Sequence, residues 1–235
     1  MNSRNVITKK DVRDRFSLYD VRNKDQIEIP PVFDRASVLI PLFQVGEEWR
    51  VLLTVRSKHL RSHSGLVAFP GGKQDSDDLD DIQTALREAE EEIGLNPSNV
   101  EVISVLPPSF VRPNIIVTVV VGIISGDFEP VKNEKEVYKI FSLPLKRFLY
   151  DDFTTGEFDI HAGNRVVTYF FKDNIEGDTV VTWGFTSAYC MFAAIILFQD
   201  YEKRIYVYVD GYVTLDSLWT EISFINYVLY KAAKL

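Results

Sequence analysis

The 235-residue sequence lacks the features that mark several large classes of protein. Its single cysteine, Cys190, excludes an intramolecular disulfide framework, and the apolar neighbours of this residue indicate a buried, inert thiol. The longest apolar runs, 114–124 and 191–198, are too short to span a bilayer, and the N-terminus lacks the apolar segment of a secretory signal. The net charge of −8 points to no nucleic-acid or membrane partner. We therefore expect an ordinary soluble globular protein.

The order of the predicted elements, in which strands predominate, favours an α+β fold or an α/β sandwich over a regular βαβ alternation. Residues 1–34 are polar and are expected to form an N-terminal extension that packs on a single domain spanning 35–235. β-rich runs bounded by turn residues predict strands at 37–43, 49–55, 65–69, 99–106, 114–124, 136–143, 165–172, 178–183 and 204–209. Helical segments are predicted at 145–150, 185–200 and 215–232, and Pro70 to Gly72 read as a loop.

One further helix is predicted from Asp80 or Asp81, either of which can cap it, to Gly94, which can end it. Helical spacing places its apolar residues on one buried stripe, formed by Ile82, Leu86, Ala89 and Ile93.

Acidic residues are concentrated on this helix. Glu88, Glu91 and Glu92 project from one face, which we expect opposite the apolar stripe, whereas Glu90 lies to the side. Like charges at this spacing repel, and few basic residues lie nearby to offset them. Three converging carboxylates suit a hard divalent cation such as Mg²⁺ or Mn²⁺. The alternative from these residues alone is a solvated acidic helix face.

A basic cluster precedes this helix in an otherwise acidic protein, at Arg56, Lys58, His59, Arg61 and His63. Arginine suits bidentate contacts to phosphate, so the cluster and a nearby metal predict phosphoanhydride chemistry. The alternative is an exposed loop with scattered charge.

Residues 71–95 resemble the signature of the Nudix hydrolases, G-x5-E-x7-R-E-U-x-E-E-x-G-U, in which U is aliphatic. The second half matches at Arg87, Glu88, Ala89, Glu91, Glu92, Gly94 and Leu95. The first half departs, because Asp78 replaces a glutamate and one extra residue precedes Arg87. Residues 52–72, LLTVRSKHLRSHSGLVAFPGG, are similar to the additional signature of the coenzyme A diphosphatase branch. Residues 133–145 and 182–188 resemble that branch more loosely.

The resemblance implies a Nudix-type α/β/α sandwich with a mixed central sheet. It also implies hydrolysis of the diphosphate in coenzyme A or acyl-CoA, giving adenosine 3′,5′-bisphosphate and 4′-phosphopantetheine, free or acylated. The alternatives are another dinucleotide substrate, such as NADH or ADP-ribose, and a non-catalytic nucleotide-binding domain.

The resemblance also assigns roles to single residues. Mg²⁺ or Mn²⁺ is expected on Glu88, Glu91 and Glu92, with Arg87 positioning the glutamates by salt bridges. Glu91 is the first candidate for the general base, and Glu136 or Glu134 is the loop alternative. Substrate binding is expected to involve Arg56, Arg61, His63, Gly71 and Gly72, with Lys58 and His59 as weaker candidates and Phe69 or Trp183 against adenine.

The last three residues, Ala-Lys-Leu, are a close variant of the peroxisomal address Ser-Lys-Leu. We therefore expect recognition by the peroxisomal import receptor and location in the peroxisomal matrix, or otherwise in the cytoplasm. The oligomeric state is left open between monomer and homodimer.

Overall fold

The computed structural model describes residues 6–23, 33–60, 63–111, 115–161, 164–199, 205–208 and 211–213. Within them the chain forms the helices α1 (Lys9–Ser17), α2 (Asp81–Ile93) and α3 (Gly184–Phe198). Short 3₁₀ helices cover Val21–Asn23, Pro97–Asn99 and Leu145–Leu149. The strands are β1 (Asp34–Val45), β2 (Glu48–Arg56), β3 (Val67–Ala68), β4 (Gly71–Lys73), β5 (Glu101–Val111), β6 (Ile115–Ile123), β7 (Val137–Pro144), β8 (Thr154–His161), β9 (Asn164–Ile175), β10 (Asp178–Thr182), β11 (Ile205–Tyr208) and β12 (Gly211–Val213).

A seven-stranded mixed sheet forms the centre of the fold. β1 and β2 pair as an antiparallel hairpin near their turn, over 42–45 and 48–51. Farther from the turn, β3 pairs with β2 and β4 pairs with β1 on the edges that face each other, so this segment lies between the two diverging strands. β6 runs parallel to β1 on its other edge, and β7 flanks β2. Residues 71–73 are therefore part of the sheet, and the prediction of a loop there is wrong.

Helices cover both faces of this sheet. Successive residues of a strand point to opposite faces, so one strand contributes side chains to both cores. In β2, Val51, Leu53 and Val55 join the core that contains residues of α1 and α3, whereas Leu52 joins the core beneath α2. The predicted α+β class and the α/β/α sandwich with a mixed central sheet are confirmed. Arg56 lies four residues from Leu52, and so it lies on the α2 face of the sheet.

Helix α1 begins with a capping box between Thr8 and Asp11 and buries Val12 and Phe16. The indole Nε1 of Trp49 donates to the carbonyl of Ile7 over 2.9 Å, which ties the start of this segment to β2. This helix was not predicted from the sequence. The domain division at residue 34 stays a prediction.

A second, five-stranded sheet contains β8 to β12, and β9 pairs with β8, β10 and β11. The strands predicted at 165–172, 178–183 and 204–209 belong to it, whereas β8 was not predicted. The helix predicted at 215–232 and the terminal Ala-Lys-Leu lie outside the described residues. None of the helices in the described part of the chain is long and apolar enough to cross a membrane.

Candidate active site

Three carboxylates from two elements converge beside the central sheet. Glu88 and Glu92 lie on successive turns of α2, and Glu136 lies immediately before β7. One carboxylate oxygen from each lies within 4.8 Å of the others. Oxygen donors at such spacing are the ligands that a hard divalent cation prefers. Among the described residues, this cluster is therefore a candidate site for Mg²⁺ or Mn²⁺.

Helix α2 is fixed at both ends, which determines where its glutamates lie. At the start, the Asp80 side chain accepts from the backbone N–H of Gln83 over 2.8 Å. Asp81 is held to the sheet by Arg35 and by the hydroxyl of Thr118, each at 2.7 Å. At the other end, Gly94 adopts a φ of +70°, a left-handed conformation that glycine tolerates best. The small side chains Ala85 and Ala89 are fully buried between the helix and the sheet.

Glu92 lies at the edge of this buried surface, and only 1% of the residue is exposed. The prediction that all three glutamates lie opposite the apolar stripe is therefore wrong for Glu92. Its Oε2 accepts from the backbone N–H of Gly71 over 3.2 Å, and its Oε1 accepts from the Arg56 guanidinium, also over 3.2 Å. The two bonds reach the carboxylate from β4 and β2, respectively, and fix its orientation.

Burial raises the pKa of Glu92 to about 7, and the nearby carboxylates of Glu88 and Glu136 add to the rise. Arg56 and the Gly71 N–H oppose this rise without cancelling it. Burial also raises the pKa of Glu88, against the opposing effect of Arg87. The cluster thus holds carboxylates whose charged forms are destabilised by burial and mutual repulsion. A bound cation would relieve both effects, so the donor set fits a divalent metal.

Two consecutive glycines leave the room that these carboxylates occupy. A Cβ on Gly72 would lie 2.6 Å from the carboxyl carbon and both carboxylate oxygens of Glu88. A Cβ on Gly71 would clash with the carbonyl oxygen of Ser37, which is a backbone atom and cannot rotate away. The glycines therefore act as backbone devices that permit close approach between β4, β1 and α2.

Arg87 links the acidic residues of α2 to the segment before the helix. Its Nε and one terminal nitrogen each donate to the Asp78 carboxylate over 2.9 Å, and the same nitrogen donates to the carbonyl of Lys73. Its other terminal nitrogen lies 3.0 Å from Glu88 and 3.2 Å from Glu91. Arg87 lowers the pKa of Asp78 to about 2. The aspartate at the position where the family signature has a glutamate therefore anchors Arg87.

The loop before β7 is attached to the end of α2. The backbone N–H groups of Val131 and Asn133 donate to the carbonyls of Ile93 and Glu92, each over 2.9 Å. These carbonyls are among the last of the helix and have no acceptor role within it. On the other side, the N–H of Ser57 donates to the carbonyl of Glu136 over 2.8 Å. These contacts hold Glu136 next to the glutamates of α2.

Glu91 is not part of the three-carboxylate group. Its side chain is 51% exposed and is paired with Arg87. Glu134, the other loop candidate, is 82% exposed and paired with Lys132. The geometry thus favours Glu136 among these acids, and the assignments of Glu91 and Glu134 stay predictions.

The other residues of the basic cluster, which were predicted to bind substrate, lie in different surroundings. His63 is exposed in a turn with a φ of +54°, and His59 is also exposed. Lys58 lies 5.9 Å from the ring centroid of Tyr138. Arg61 lies outside the described residues.

Of the two aromatic candidates for adenine, one is part of the hydrophobic core and one is not. Phe69 is 2% exposed and belongs to the core, which removes it as a candidate. Trp183 is partly buried and stacks on Phe170. Asn133 was not identified from the sequence, although an asparagine that begins an N-x-x-E turn before a predicted strand is a recognisable signal.

Sequence comparisons relate this chain to known proteins. Residues 34–163 match the model of the NUDIX domain. The chain is 38% identical over 169 residues to the Mus musculus protein named peroxisomal coenzyme A diphosphatase NUDT7, an alignment that covers 71% of this chain and 72% of that one. It is 39% identical over 168 residues to the Arabidopsis thaliana protein named Nudix hydrolase 15, mitochondrial, with coverages of 70% and 59%. The chain belongs to the Nudix hydrolase family.

The coverage of relatives varies. The chain spans 59% of the mitochondrial Arabidopsis relative and 56% of a second one named Nudix hydrolase 22, chloroplastic. Among solved structures, the Ap4A hydrolase of C. elegans in a binary complex aligns with a TM-score of 0.41 at 17% identity, over 48% of this chain and 81% of that one.

Proposed function

We propose that the protein is a metal-dependent diphosphatase of coenzyme A and acyl-CoA. It would release adenosine 3′,5′-bisphosphate and 4′-phosphopantetheine, free or acylated. The observation that carries this proposal is the convergence of Glu88, Glu92 and Glu136 beside Arg56. The likeness of residues 52–72 to the coenzyme A diphosphatase signature supports the substrate, and so does the name of the mouse relative.

In this proposal Glu88, Glu92 and Glu136 hold Mg²⁺ or Mn²⁺. The chemistry that such an ion supplies is neutralisation of the diphosphate and activation of water as a nucleophile. The chain's own contribution is positional. Gly71 and Arg56 orient Glu92, and Arg87 orients Glu88.

Phosphate recognition is proposed for the basic segment 56–63, with Arg56, Arg61 and His63 as its main residues. Arg56 is the last residue of β2 and the first residue of this segment. It also contacts Glu92, so it lies next to the proposed metal site. Arginine's planar fork of donors suits a diphosphate. Gly71 and Gly72 allow close approach of the backbone, because a Cβ at either position would clash with neighbouring atoms.

Product analysis tests the proposed reaction. The protein would be incubated with coenzyme A, acetyl-CoA, NADH or ADP-ribose in the presence of Mg²⁺ or Mn²⁺, and the products would be identified by mass spectrometry. We expect adenosine 3′,5′-bisphosphate from both coenzyme A substrates and none after addition of EDTA. Faster cleavage of NADH or ADP-ribose would favour the alternative substrates. No cleavage of any compound would favour a binding domain.

The roles of the acids are separated by two matched variants in the same assay. Glu136→Gln and Glu91→Gln each remove one negative charge from a residue in the same region. We expect Glu136→Gln to lower kcat strongly, because the proposed ion loses one of its three carboxylate ligands. Glu91→Gln should have a smaller effect, because Glu91 is half exposed and paired with Arg87. The reverse order would restore Glu91 as the principal residue.

We also propose a peroxisomal location, supported by the name of the mouse relative, whereas the Arabidopsis relatives carry mitochondrial and chloroplastic names. The test is the distribution of an N-terminal fluorescent fusion with and without Ala233, Lys234 and Leu235. Import that depends on these residues is expected. An unchanged distribution after their removal would contradict a role for this tripeptide.

A further inference from the structure

Asn133 connects the two elements that carry the carboxylate cluster. Its backbone N–H donates to the carbonyl of Glu92 on α2 over 2.9 Å. Its side-chain Nδ2 donates to Oε1 of Glu136 over 3.1 Å. One residue therefore bonds to the main chain of one candidate ligand and to the carboxylate of another.

The remaining polar groups of Asn133 build the turn that presents Glu136. Its Oδ1 accepts from the N–H of Lys135 over 3.2 Å. Its carbonyl accepts from the N–H groups of Glu136 at 3.0 Å and Val137 at 2.8 Å. All four kinds of polar group on this residue, two backbone and two side-chain, are thus engaged.

These contacts also settle which way the amide of Asn133 is turned. The N–H of Lys135 requires an acceptor, and the carboxylate of Glu136 requires a donor. If the amide were flipped, two donors would face each other at Lys135 and two acceptors would face each other at Glu136. The surrounding groups therefore hold the Nδ2 donor against Glu136.

We propose that Asn133 is a positioning residue that sets the Glu136 carboxylate against Glu92 and Glu88 and so completes the cation site. The inference rests on the proposed function only in taking this cluster as the metal site. Asparagine fits the position because serine is too short to reach Glu136 and aspartate would place a like charge against it. Partners that orient a metal ligand typically change metal affinity or activity by about 10–100-fold when they are removed.

The principal test is Mn²⁺ binding to the metal-free protein without substrate, measured by electron paramagnetic resonance. Asn133→Ser removes the donor to Glu136 while its hydroxyl can still accept from the N–H of Lys135. We expect its Mn²⁺ affinity to fall by about 10–100-fold. The matched control is Lys135→Gln, which changes an exposed side chain in the same turn and keeps its backbone N–H. This control should bind Mn²⁺ as the wild type does.

A second comparison asks whether Asn133 acts through Glu136. In a Glu136→Gln background, adding Asn133→Ser should reduce Mn²⁺ affinity by less than about twofold, because the group that it positions is already altered. A full, independent loss in that background would overturn the proposal. So would an Asn133→Ser affinity equal to that of the wild type.

A third measurement leaves Asn133 intact, in case its variant does not fold. In ¹⁵N NMR spectra of the wild type, the side-chain amide of Asn133 should have a chemical shift displaced from that of a solvent-exposed amide, and its hydrogens should exchange slowly with water. Glu136→Gln should change both properties. An unchanged signal would overturn the proposal. None of these measurements uses coenzyme A, so failure of the proposed substrate and failure of this inference are distinguishable.

Discussion

Ionised Glu92 should destabilise the metal-free folded protein above neutral pH. Replacing Glu92 by glutamine should restore part of the lost unfolding free energy. The folded protein holds a proton on Glu92 with a pKa of about 7, whereas the ordinary value is 4.5. Since the folded state binds this proton more tightly than the unfolded chain, stability falls as pH rises from about 4.5 to about 7. At about 1.36 kcal/mol per pH unit, this difference corresponds to about 3 kcal/mol of unfolding free energy.

The gain on substitution should be smaller than this value. Glu92→Gln keeps an acceptor for the Gly71 N–H but leaves Arg56 without its charged partner. We therefore expect the variant to be more stable than the wild type by about 1–3 kcal/mol at pH 8 in EDTA. Near pH 5 the two should be similar, because Glu92 is then protonated in the folded state.

Urea unfolding monitored by circular dichroism measures this difference at the two pH values. Mn²⁺ provides an internal control, because it should stabilise the wild type at pH 8 and have less effect on the variant. A variant that is less stable than the wild type at pH 8, or a stability difference that does not change with pH, would rule out a raised pKa of Glu92 in the folded protein. In that case Glu92 would be ionised in the folded protein without cost.

Three further predictions concern the surroundings of the site and the core. Gly72→Ala should preserve the fold but lower Mn²⁺ affinity by about 10–100-fold in titration calorimetry, since its Cβ would displace the Glu88 carboxylate; unchanged affinity would contradict the close contact. Asp78→Asn should cost about 2 kcal/mol in urea unfolding at pH 7, because the Asp78 side chain is 3% exposed and bonded twice to Arg87. The wild-type advantage should disappear as pH falls from about 4 to about 2, and a constant difference would count against it. Cys190 is fully buried with a raised thiol pKa, so iodoacetamide should label it only after unfolding, as mass spectrometry would show; rapid labelling of the folded protein would place it at the surface.

Local signals in the sequence predict much of this fold. The bounds of α2 follow from a capping aspartate and Gly94, and the structure has both in those roles. The strands β1, β2 and β6 and the helix α3 lie near their predicted positions, because their apolar runs are long. Helix α1 was missed although its signals are local, namely the capping box at Thr8 and the pair Val12 and Phe16.

Other features depend on contacts between distant parts of the chain. β4 forms because β1 and β2 diverge and leave backbone groups on facing edges, and no property of a Pro-Gly-Gly sequence reports this divergence. β8, TTGEFDIH, is a polar segment that becomes a strand through pairing with β9. The burial of Glu92 likewise depends on where Gly71 and Arg56 meet α2.

In the candidate site, too, some features follow from the local sequence and others depend on contacts between distant parts of the chain. Helical spacing correctly placed Glu88 and Glu92 together, since they are one turn apart on α2. Spacing alone could not rank Glu91 against Glu136, because Glu136 reaches the cluster through the attachment of its loop to the end of the helix. The departure at Asp78 is explained by its bonds to Arg87, which a reading of the signature could identify only as a mismatch.

We propose that Glu88, Glu92 and Glu136 together hold the divalent ion. Anomalous diffraction from crystals of the protein soaked in Mn²⁺ would locate that ion. We expect an anomalous peak in contact with a carboxylate oxygen of each of the three residues, at about 2.0–2.5 Å. A peak ligated by Glu91 in place of Glu136, or no peak near Glu88 and Glu92 at saturating Mn²⁺, would show that these three residues do not form the metal site.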